Sequence, residues 1–287
     1  MNNLRGAILM VSAMAAFALE DMFFKAATQS IPIGQALIVF GLGGMLVFML
    51  LAKVRGEVIF HRQILSRAIL IRSVCEVTGR VFFALAIALT PLSSASAILQ
   101  ATPLVVAVGA IVFFGETVGW HRWGSIIAGF IGVLLILRPG LSGFESASLF
   151  AVLGTLGFAG RDLATRAAPP SLSNLQLGIY GFFMLIIAGL ILLFWTGPMV
   201  VPTTKNSLQL AAIIFTGVIA YYALTAAMRA GELSVIAPFR YTRLIFAMVL
   251  GILIFDERPD AITLLGSALV VLSGIYTVMR ERKNRAL

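Results

Sequence analysis

The chain has 287 residues, of which 60% are hydrophobic and 11% are charged, and its mean hydropathy is +1.02. Soluble domains carry about 25% charged residues, so this composition excludes a water-covered globule and predicts an integral membrane protein. The 21 basic residues outnumber the 12 acidic ones, but they lie between apolar runs and not in the polar stripes of nucleic-acid binding proteins.

Ten apolar runs are long enough to cross a bilayer, since a helical span needs about 20 mostly apolar residues. In chain order the predicted spans are residues 5–27, 33–53, 67–89, 92–114, 120–138, 146–168, 174–196, 207–229, 233–255 and 260–280. The first run is similar to a signal peptide, because Arg5 precedes an Ala-rich stretch. The acidic pair Glu20 and Asp21, and the repeat described below, predict that it is retained.

Basic residues at the span ends predict the orientation, because cytoplasmic loops are enriched in Lys and Arg. With the N-terminus in the cytoplasm, the inner side carries Arg5, Lys53, Arg55, Arg62, Arg67, Arg122, Arg166, Arg229, Arg280, Arg282, Lys283 and Arg285. The outer side carries Lys25, Arg138, Lys205 and Arg258. We therefore expect a multi-pass protein of the inner (plasma) membrane with both termini in the cytoplasm.

The two halves of the chain align at an offset of 141 residues. "FALEDMFFKAA" (17–27) matches "FAGRDLATRAA" (158–168), "FFGE" (113–116) matches "IFDE" (254–257), and Leu92–Ser93 match Leu233–Ser234. Each half holds five spans, so the second enters the membrane from the opposite side. Inverted repeats of this kind are typical of secondary transporters, whose substrate site lies near the bilayer midplane between the halves.

The fourth and fifth spans of each half resemble a known family. "SSASAILQATPLVVAVGAIVFFGETVGWHRWGSIIAGFIGVLLILRPG" (93–140) and "APFRYTRLIFAMVLGILIFDERPDAITLLGSALVVLSGIYTV" (237–278) are similar to the EamA repeats of the drug/metabolite transporter superfamily. The matching positions are Pro103, Glu116, Gly124 and Gly132 in the first half and Glu257, Gly266 and Gly274 in the second. The resemblance implies an all-α membrane fold of ten helices, with one repeat in residues 1–140 and the other in 141–287. It also suggests amino-acid and metabolite exporters as functional relatives.

Span nine departs from its counterpart in span four. It reads "FRYTRL" where span four reads "ILQATP", so Arg240 and Arg243 replace Leu99 and Thr102. Two additional cations at this depth are expected to shift substrate preference toward anions or carboxylates.

Four acids and five bases lie well inside the spans. They are Glu20, Asp21, Arg72, Glu76, Arg80, Arg161, Asp162, Arg240 and Arg243. Each costs about 2.5–3.5 kcal/mol near a helix centre in insertion experiments, so these side chains should face protein or a water-filled cavity. Arg72, close to its span end, is expected to extend toward the lipid headgroups. The near balance of sign predicts mutual pairing, which serves either helix packing or a substrate site.

The predicted substrate site contains the central charges together with polar and aromatic residues at similar depth. It comprises Glu20, Asp21, Glu76, Arg80, Gln100, Asp162, Tyr221, Tyr222, Arg240, Tyr241 and Arg243. An arginine can hold a carboxylate bidentately, and an acid can hold an ammonium group or a proton. Amino acids carry both groups. The tyrosines could equally serve interhelical packing.

The repeated glycines and the loop glutamates of the two halves indicate scaffold roles. Gly124 and Gly132, like Gly266 and Gly274, place small residues on one helix face and permit close helix approach. Glu116 and Glu257 lie in short loops and are expected to cap helix ends.

The leading hypothesis is a secondary transporter that exports amino acids or similar metabolites by alternating access. An uptake carrier for a vitamin or nucleoside-type metabolite stays open, as does a channel or membrane scaffold. No phosphate-binding Gly-Lys loop, Ser/His/Asp set or HExxH motif is present, so ATP-driven transport and catalysis are not expected. One cysteine and two histidines argue against a disulfide or a metal site. We expect no cofactor, and a monomer or weak homodimer in the bilayer.

Overall fold

The computed structural model describes residues 3–59, 62–115, 120–138, 145–166, 172–230 and 237–285. Within these ranges the chain forms α-helices and two short 3-10 helices, Arg62–Leu65 and Ala237–Tyr241, and no strand. The α-helices are α1 (Asn3–Ala27), α2 (Ile33–Val54), α3 (Arg67–Leu89), α4 (Leu92–Leu99), α5 (Thr102–Phe114), α6 (Trp120–Leu137), α7 (Ser148–Arg166), α8 (Asn174–Thr196), α9 (Thr204–Ala230), α10 (Thr242–Phe255) and α11 (Ala261–Arg285). The predicted all-helical fold is confirmed.

The helices follow the predicted spans closely. Span four consists of α4 and α5, and the described part of span nine consists of the second 3-10 helix and α10. Among the described residues, five segments are both long and apolar enough to cross a membrane: Leu4–Ala27, Ile33–Val54, Leu92–Phe113, Asn174–Thr196 and Thr204–Ala227. The third and sixth spans are absent from this set because α3 and α7 carry the intramembrane charges.

The helix contacts have the pattern of a two-fold exchange between the halves. The most extensive pairs are α1 with α9, α3 with α7, α2 with α8, and α6 with α11. The pair α1–α9 joins spans one and eight, and the pair α3–α7 joins spans three and six. If each span is replaced by its counterpart in the other repeat, the first pair becomes the second. The same exchange leaves the pairs two–seven and five–ten unchanged. The two repeats therefore pack as equivalent halves of one bundle.

The direction of the paired helices establishes that the repeats are inverted. Gly34 at the start of α2 packs against Leu193 near the end of α8, and Phe48 near the end of α2 packs against Gly178 near the start of α8. Spans two and seven occupy equivalent positions in the repeats, yet they run antiparallel. The inverted arrangement predicted from the odd number of spans is thus present in the structure.

Glycine allows the closest of these crossings. A Cβ on Gly34 would lie 2.6 Å from the carbonyl oxygen of Gly189, and a Cβ on Gly189 would lie 2.7 Å from that of Gly34. Gly132 and Gly266 show the same reciprocal contact at 2.7 Å between α6 and α11. Their predicted role in helix packing is confirmed. Gly124 is the exception, because a Cβ there would meet nothing within 4 Å.

Both repeats depart from regular α-helix at equivalent positions within the described residues. Span four breaks at Gln100, between α4 and α5, and span nine changes from 3-10 to α-helix at Tyr241. Gln100 and Tyr241 occupy equivalent positions when the two halves are aligned at the offset of 141 residues. Discontinuous helices near the midplane are typical of transporter substrate sites, since they leave backbone groups free to bind ligand.

Candidate functional site

Glu76, near the middle of α3, lies at the centre of a group of charged side chains. Its Oε1 atom accepts a hydrogen bond from Nε of Arg80 at 3.2 Å and lies 3.5 Å from Nη1 of Arg161. Its Oε2 atom lies 3.9 Å from Nη2 of Arg72. Arg72 and Arg80 stand one turn to either side of Glu76 on the same helix, whereas Arg161 comes from α7 in the other repeat. Three guanidinium groups therefore surround one buried carboxylate.

On α7, Arg161 also binds the neighbouring acid. Its Nε and Nη2 atoms lie 2.9 Å and 2.8 Å from Oδ1 of Asp162. Nε of Arg72 donates a hydrogen bond to Oγ1 of Thr165 at 3.0 Å. The expectation that Arg72 extends toward the headgroups is wrong. Its side chain is buried, because Glu76 and Thr165 offer partners inside the bundle.

A second ion pair joins the first span to the ninth. Nη2 and Nε of Arg243 bind Oδ2 of Asp21 at 2.6 Å and 3.2 Å. The adjacent Glu20 lies 3.9 Å from Nη1 of Arg80. Arg80 therefore lies between the carboxylates of Glu20 and Glu76, and it connects the two ion-paired groups. The mutual pairing predicted from the balance of charge is present.

The acids and the arginines of this cluster differ in exposure. The side chains of Asp21, Glu76 and Glu20 are 3%, 3% and 7% exposed. The side chains of Arg80 and Arg161 are each 22% exposed. Arg243 is 16% and Asp162 is 30% exposed. The exposed part of the cluster thus consists of three arginines and Asp162, while the other three acids are buried.

Three phenylalanine rings pack among these arginines. The guanidinium carbons of Arg161 and Arg80 lie 4.9 Å and 5.5 Å from the ring centre of Phe158. Phe158 meets Phe83 edge to face, with 5.8 Å between ring centres. The guanidinium carbon of Arg243 lies 5.7 Å from the Phe83 ring and 4.9 Å from the Phe17 ring. These contacts form a continuous series from α7 through α3 and α10 to α1, and each of the three cations gains from the negative face of a ring.

The residues at the helix breaks form a separate contact. Nε2 of Gln100 donates a hydrogen bond to the backbone oxygen of Arg240 at 3.4 Å. This bond joins the interruption in span four to the one in span nine. Tyr241 is buried, and its hydroxyl has no hydrogen-bond partner among the described residues. The hydroxyl packs directly against Gly274 of α11.

The two predicted tyrosines of α9 have different surroundings. Tyr221 packs edge to face on Phe48, with 5.3 Å between ring centres, and its ring centre lies 6.2 Å from that of Phe182. Tyr222 is 46% exposed, and its hydroxyl accepts a 3.5 Å hydrogen bond from Arg55 at the end of α2. The structure therefore does not bring Tyr222 to the charged cluster, because successive helix residues point about 100° apart.

Five contributors to the cluster were not among the predicted site residues: Arg72, Arg161, Phe17, Phe83 and Phe158. The arginines carried a signal, since both are charges deep inside apolar spans. Phe17 and Phe158 also carried one, because they occupy equivalent positions in the two repeats. Phe83 carried none, since a phenylalanine is ordinary in an apolar helix.

At the bundle end where α1 finishes, a loop of the second repeat caps a helix of the first. Oε1 of Glu257 accepts a hydrogen bond from the backbone N of Leu92 at 2.5 Å. Its Oε2 accepts from the backbone N and from Oγ of Ser93, at 3.0 Å and 2.7 Å. The predicted capping role of Glu257 is confirmed, while Glu116 lies outside the described residues. Nearby, Nζ of Lys25 donates to the backbone oxygens of Ile87 and Thr90.

A polar cavity of about 250 Å³ opens beside this cap, and Arg138 and Asp260 lie on its rim. Nη2 of Arg138 binds Oδ1 of Asp260, and the backbone N of Thr263 donates to the same oxygen at 2.9 Å. The hydrogen bond from Arg138, followed by those from Thr263, holds the pKa of Asp260 well below its ordinary value. This pair joins the ends of spans five and ten.

Comparison with family models identifies one match that spans both halves. The model of the EamA-like transporter family matches residues 4–138 and again residues 145–279. The two matched segments correspond to the two repeats seen in the helix contacts.

Several proteins of assigned function are similar to this chain. They include an S-adenosylmethionine uptake transporter of Rickettsia conorii, 25% identical over 200 residues, which are 68% of this chain and 66% of that protein. A riboflavin transporter of Rhizobium johnstonii is 30% identical over 202 residues, 69% of this chain and 65% of that protein. The chain thus spans just under two thirds of both. A pseudopaline exporter of Pseudomonas aeruginosa is 26% identical over 284 residues, 97% of each chain.

A crystal structure with 15% identity shares the fold, with a TM-score of 0.63 over 97% of this chain and 98% of the other.

Proposed function

The chain belongs to the EamA-like transporter family, and we propose that it is a secondary transporter that exports an amino acid or a similar small metabolite. The observation that carries this proposal is the charged cluster. It lies at mid-depth in the bundle, and both inverted repeats contribute to it. Charges placed there are costly unless they pair with one another or face a water-filled cavity. In transporters of inverted repeats the substrate binds at this location.

Alternating access follows from the symmetry of the fold. The first repeat, in residues 1–140, and the second, in residues 141–287, would rock against each other and exchange their conformations. The ion pairs Glu76–Arg161 and Asp21–Arg243 cross between the repeats, so they are the contacts that such a motion must rearrange. In this proposal the halves would bend at the irregular midpoints of spans four and nine, which are joined by Gln100 and the backbone of Arg240.

We assign substrate binding to residues of both signs. Arg80, Arg243 and Arg240 would hold a carboxylate, and Asp162, the most exposed of the four acids, would hold an ammonium group. The remaining proposed site residues are Glu20, Asp21, Glu76, Gln100, Tyr221 and Tyr241. Tyr222 is left out because its hydroxyl binds Arg55.

Export from the cytoplasm across the inner membrane is supported by the name of the relative that covers 97% of this chain, a pseudopaline exporter. The basic residues at the span ends support cytoplasmic termini. Uptake is the second candidate, favoured by the names of the S-adenosylmethionine and riboflavin transporters. A channel is less well supported, because channels use rings of like charge or carbonyl filters and this cluster has mixed sign.

Purified protein in liposomes tests the proposal. Counterflow of radiolabelled amino acids, vitamins and nucleosides should show saturable flux for at least one compound, with and without a proton gradient. Loading the compound on either side then gives the direction. Single-channel currents without saturable flux of any compound would refute the transporter.

A further inference from the structure

We propose that residues 197–203, the loop between spans seven and eight, lie in the membrane–water interface and contact lipid. This inference goes beyond transport and does not depend on the proposed function. The loop reads "GPMVVPT" and carries no charged residue. Met199, Val200 and Val201 are 51%, 42% and 93% exposed. Three adjacent apolar side chains with this exposure are unfavourable in water and are typical of a surface that meets a membrane.

The loop extends the exposed apolar surface of α8. Phe194 and Trp195 in the last turn of that helix are 89% and 74% exposed, and the segment Asn174–Thr196 is long and apolar enough to cross a membrane. Its 23 residues are about 34 Å long, so the helix spans a hydrocarbon core of about 30 Å and ends at the interface. Tryptophan is enriched at this depth. The chain therefore leaves α8 at the level of the lipid headgroups.

A loop at this depth needs protein partners for its backbone, because little water reaches it. Gln35 at the start of α2 supplies them for Val200. Its Nε2 donates a hydrogen bond to the backbone oxygen of Val200 at 2.7 Å, and its Oε1 accepts one from the backbone N of Val200 at 2.9 Å. Gln35 is itself buried. Both polar backbone groups of this valine are thus satisfied within the protein, while its side chain stays partly exposed.

The same clamp recurs in the other repeat. Gln35 and Gln176 are equivalent at the offset of 141 residues. Nε2 of Gln176, at the start of α8, donates to the backbone oxygen of Val58 at 2.7 Å, in the loop that follows α2. Each glutamine therefore holds a loop of the opposite repeat. The loop after α2 carries the charges of Arg55 and Glu57, so of these two clamped loops only the one after α8 is uncharged.

A second loop at the same end of the bundle provides the contrast. Residues 256–260 read "DERPD", and Glu257 of this loop caps α4 at the end where α1 finishes. Because α2 begins at that end as well, Gln35 holds residues 197–203 on the same side of the bundle. Arg258 is exposed and charged. We therefore expect the two loops to meet different solvents on one side of the membrane.

Spin labels on single cysteines test the position of the loop in the full-length protein. Cys75, the only cysteine, is replaced by serine, and either Val201→Cys or Arg258→Cys is labelled with a nitroxide and reconstituted in phosphatidylcholine liposomes. Collision of the label with oxygen, which concentrates in lipid, is compared with its collision with a water-soluble nickel chelate. We expect the ratio of oxygen to nickel accessibility to be several-fold higher at position 201 than at position 258. Equal ratios, or a higher ratio at position 258, would overturn the inference.

Gln35→Leu tests the clamp, with Gln176→Leu as its matched control. Leucine has nearly the size of glutamine but makes no side-chain hydrogen bond, so the backbone of Val200 must find water instead. In Gln35→Leu we expect the accessibility ratio at position 201 to fall toward the value at position 258. In Gln176→Leu, which loses the equivalent bond at the other end of the bundle, the ratio at position 201 should match the parent.

An unchanged ratio in Gln35→Leu, or an equal fall in both variants, would overturn the role of Gln35. Size-exclusion profiles establish that each variant is folded. The comparison of positions 201 and 258 in the parent decides the location of the loop without these variants.

Discussion

The carboxylate of Glu76 and the guanidinium of Arg161 lie 3.5 Å apart across the boundary between the two inverted repeats. Glu76 also pairs with Arg80 and Arg72 of its own helix. The ion pair between α3 and α7 thus depends on a single buried acid that is shared by three cations. A buried charge that loses its partner is strongly destabilising, so this acid is the most sensitive point of the cluster.

Replacement of that acid should therefore weaken the fold. Glu76→Gln removes the carboxylate shared by three guanidinium groups and leaves the buried Arg72 without an acidic partner, and we expect the free energy of unfolding to fall by about 3–5 kcal/mol. Thermal unfolding in detergent, followed by tryptophan fluorescence, measures the change. The control is Glu145→Gln, which also removes one negative charge but lies exposed at the end of the bundle. An unfolding temperature that is equal in the two variants would contradict the central role of Glu76.

Phe158 should position the arginines for the substrate. Phe158→Leu removes the ring that lies beneath Arg80 and Arg161, and cation–π contacts are each worth about 0.5–2 kcal/mol. The half-saturating concentration for counterflow should rise several-fold, with the folded fraction retained. Phe113→Leu makes the same change at a ring that is exposed on the bundle surface. If the Phe158→Leu and Phe113→Leu variants transport alike, Phe158 has a packing role and does not position the arginines.

Two glycines of α8 should respond in opposite ways to the same substitution. A methyl group on Gly189 would meet the backbone of Gly34 at 2.7 Å, whereas one on Gly181 would meet nothing within 4 Å. Gly189→Ala should lower the free energy of unfolding by about 1–3 kcal/mol through overpacking. Gly181→Ala should leave it unchanged or raise it by up to about 1 kcal/mol, because alanine favours helix. Thermal unfolding of both variants measures the difference, and loss of stability at Gly181 would contradict it.

Glu257 should stabilise the start of α4 from across the repeat boundary. Glu257→Gln removes the charge from an acceptor of three hydrogen bonds at Leu92 and Ser93, and loss of a helix cap costs about 0.5–2 kcal/mol. Hydrogen exchange at the first amides of α4 should become faster. In the neighbouring Arg258→Gln variant, exchange at these amides should match the parent. Protection that is unchanged in Glu257→Gln would show that the cap contributes nothing.

The Arg138–Asp260 pair should give a pH-dependent contribution to stability. Because the folded pKa of Asp260 is depressed, its contribution is fully present above the ordinary value of 3.8 and declines as the pH falls below it. The parent should therefore unfold at a higher temperature than Asp260→Asn at neutral pH, and this gap should narrow below about pH 3.8. When both proteins also carry Arg138→Gln, the difference in unfolding temperature between Asp260 and Asp260→Asn should depend much less on pH. A gap that stays constant down to low pH would contradict the pairing.

Much of the architecture could be predicted from the order of the residues. Apolar runs near 20 residues specify spans, and the matched segments at 17–27 and 158–168 specify a repeat with five spans in each half. Both are local or periodic properties, so they can be read along the chain. The charges at positions 76, 80 and 243 were also identified as inward-facing, because an apolar span tolerates such residues only where they find partners.

The pairing of those charges could not be predicted. Periodicity places Arg72, Glu76 and Arg80 on one face of α3, but it does not say that this face meets α7 and so receives Arg161. For the same reason Arg72 was expected at the headgroups although it is buried against Thr165, and Tyr222 was expected at the site although it binds Arg55.

The sequence by itself thus determined that the protein is an all-helical membrane protein of two inverted repeats with charges at mid-depth. The tertiary structure decided which helices meet, and with them that Glu20, Asp21 and Glu76 are buried and that Arg161 of the second repeat pairs with Glu76 of the first. The physical reason is that hydrophobicity and helix period act within a segment. The exposure of a charged side chain depends instead on partners brought together from distant spans.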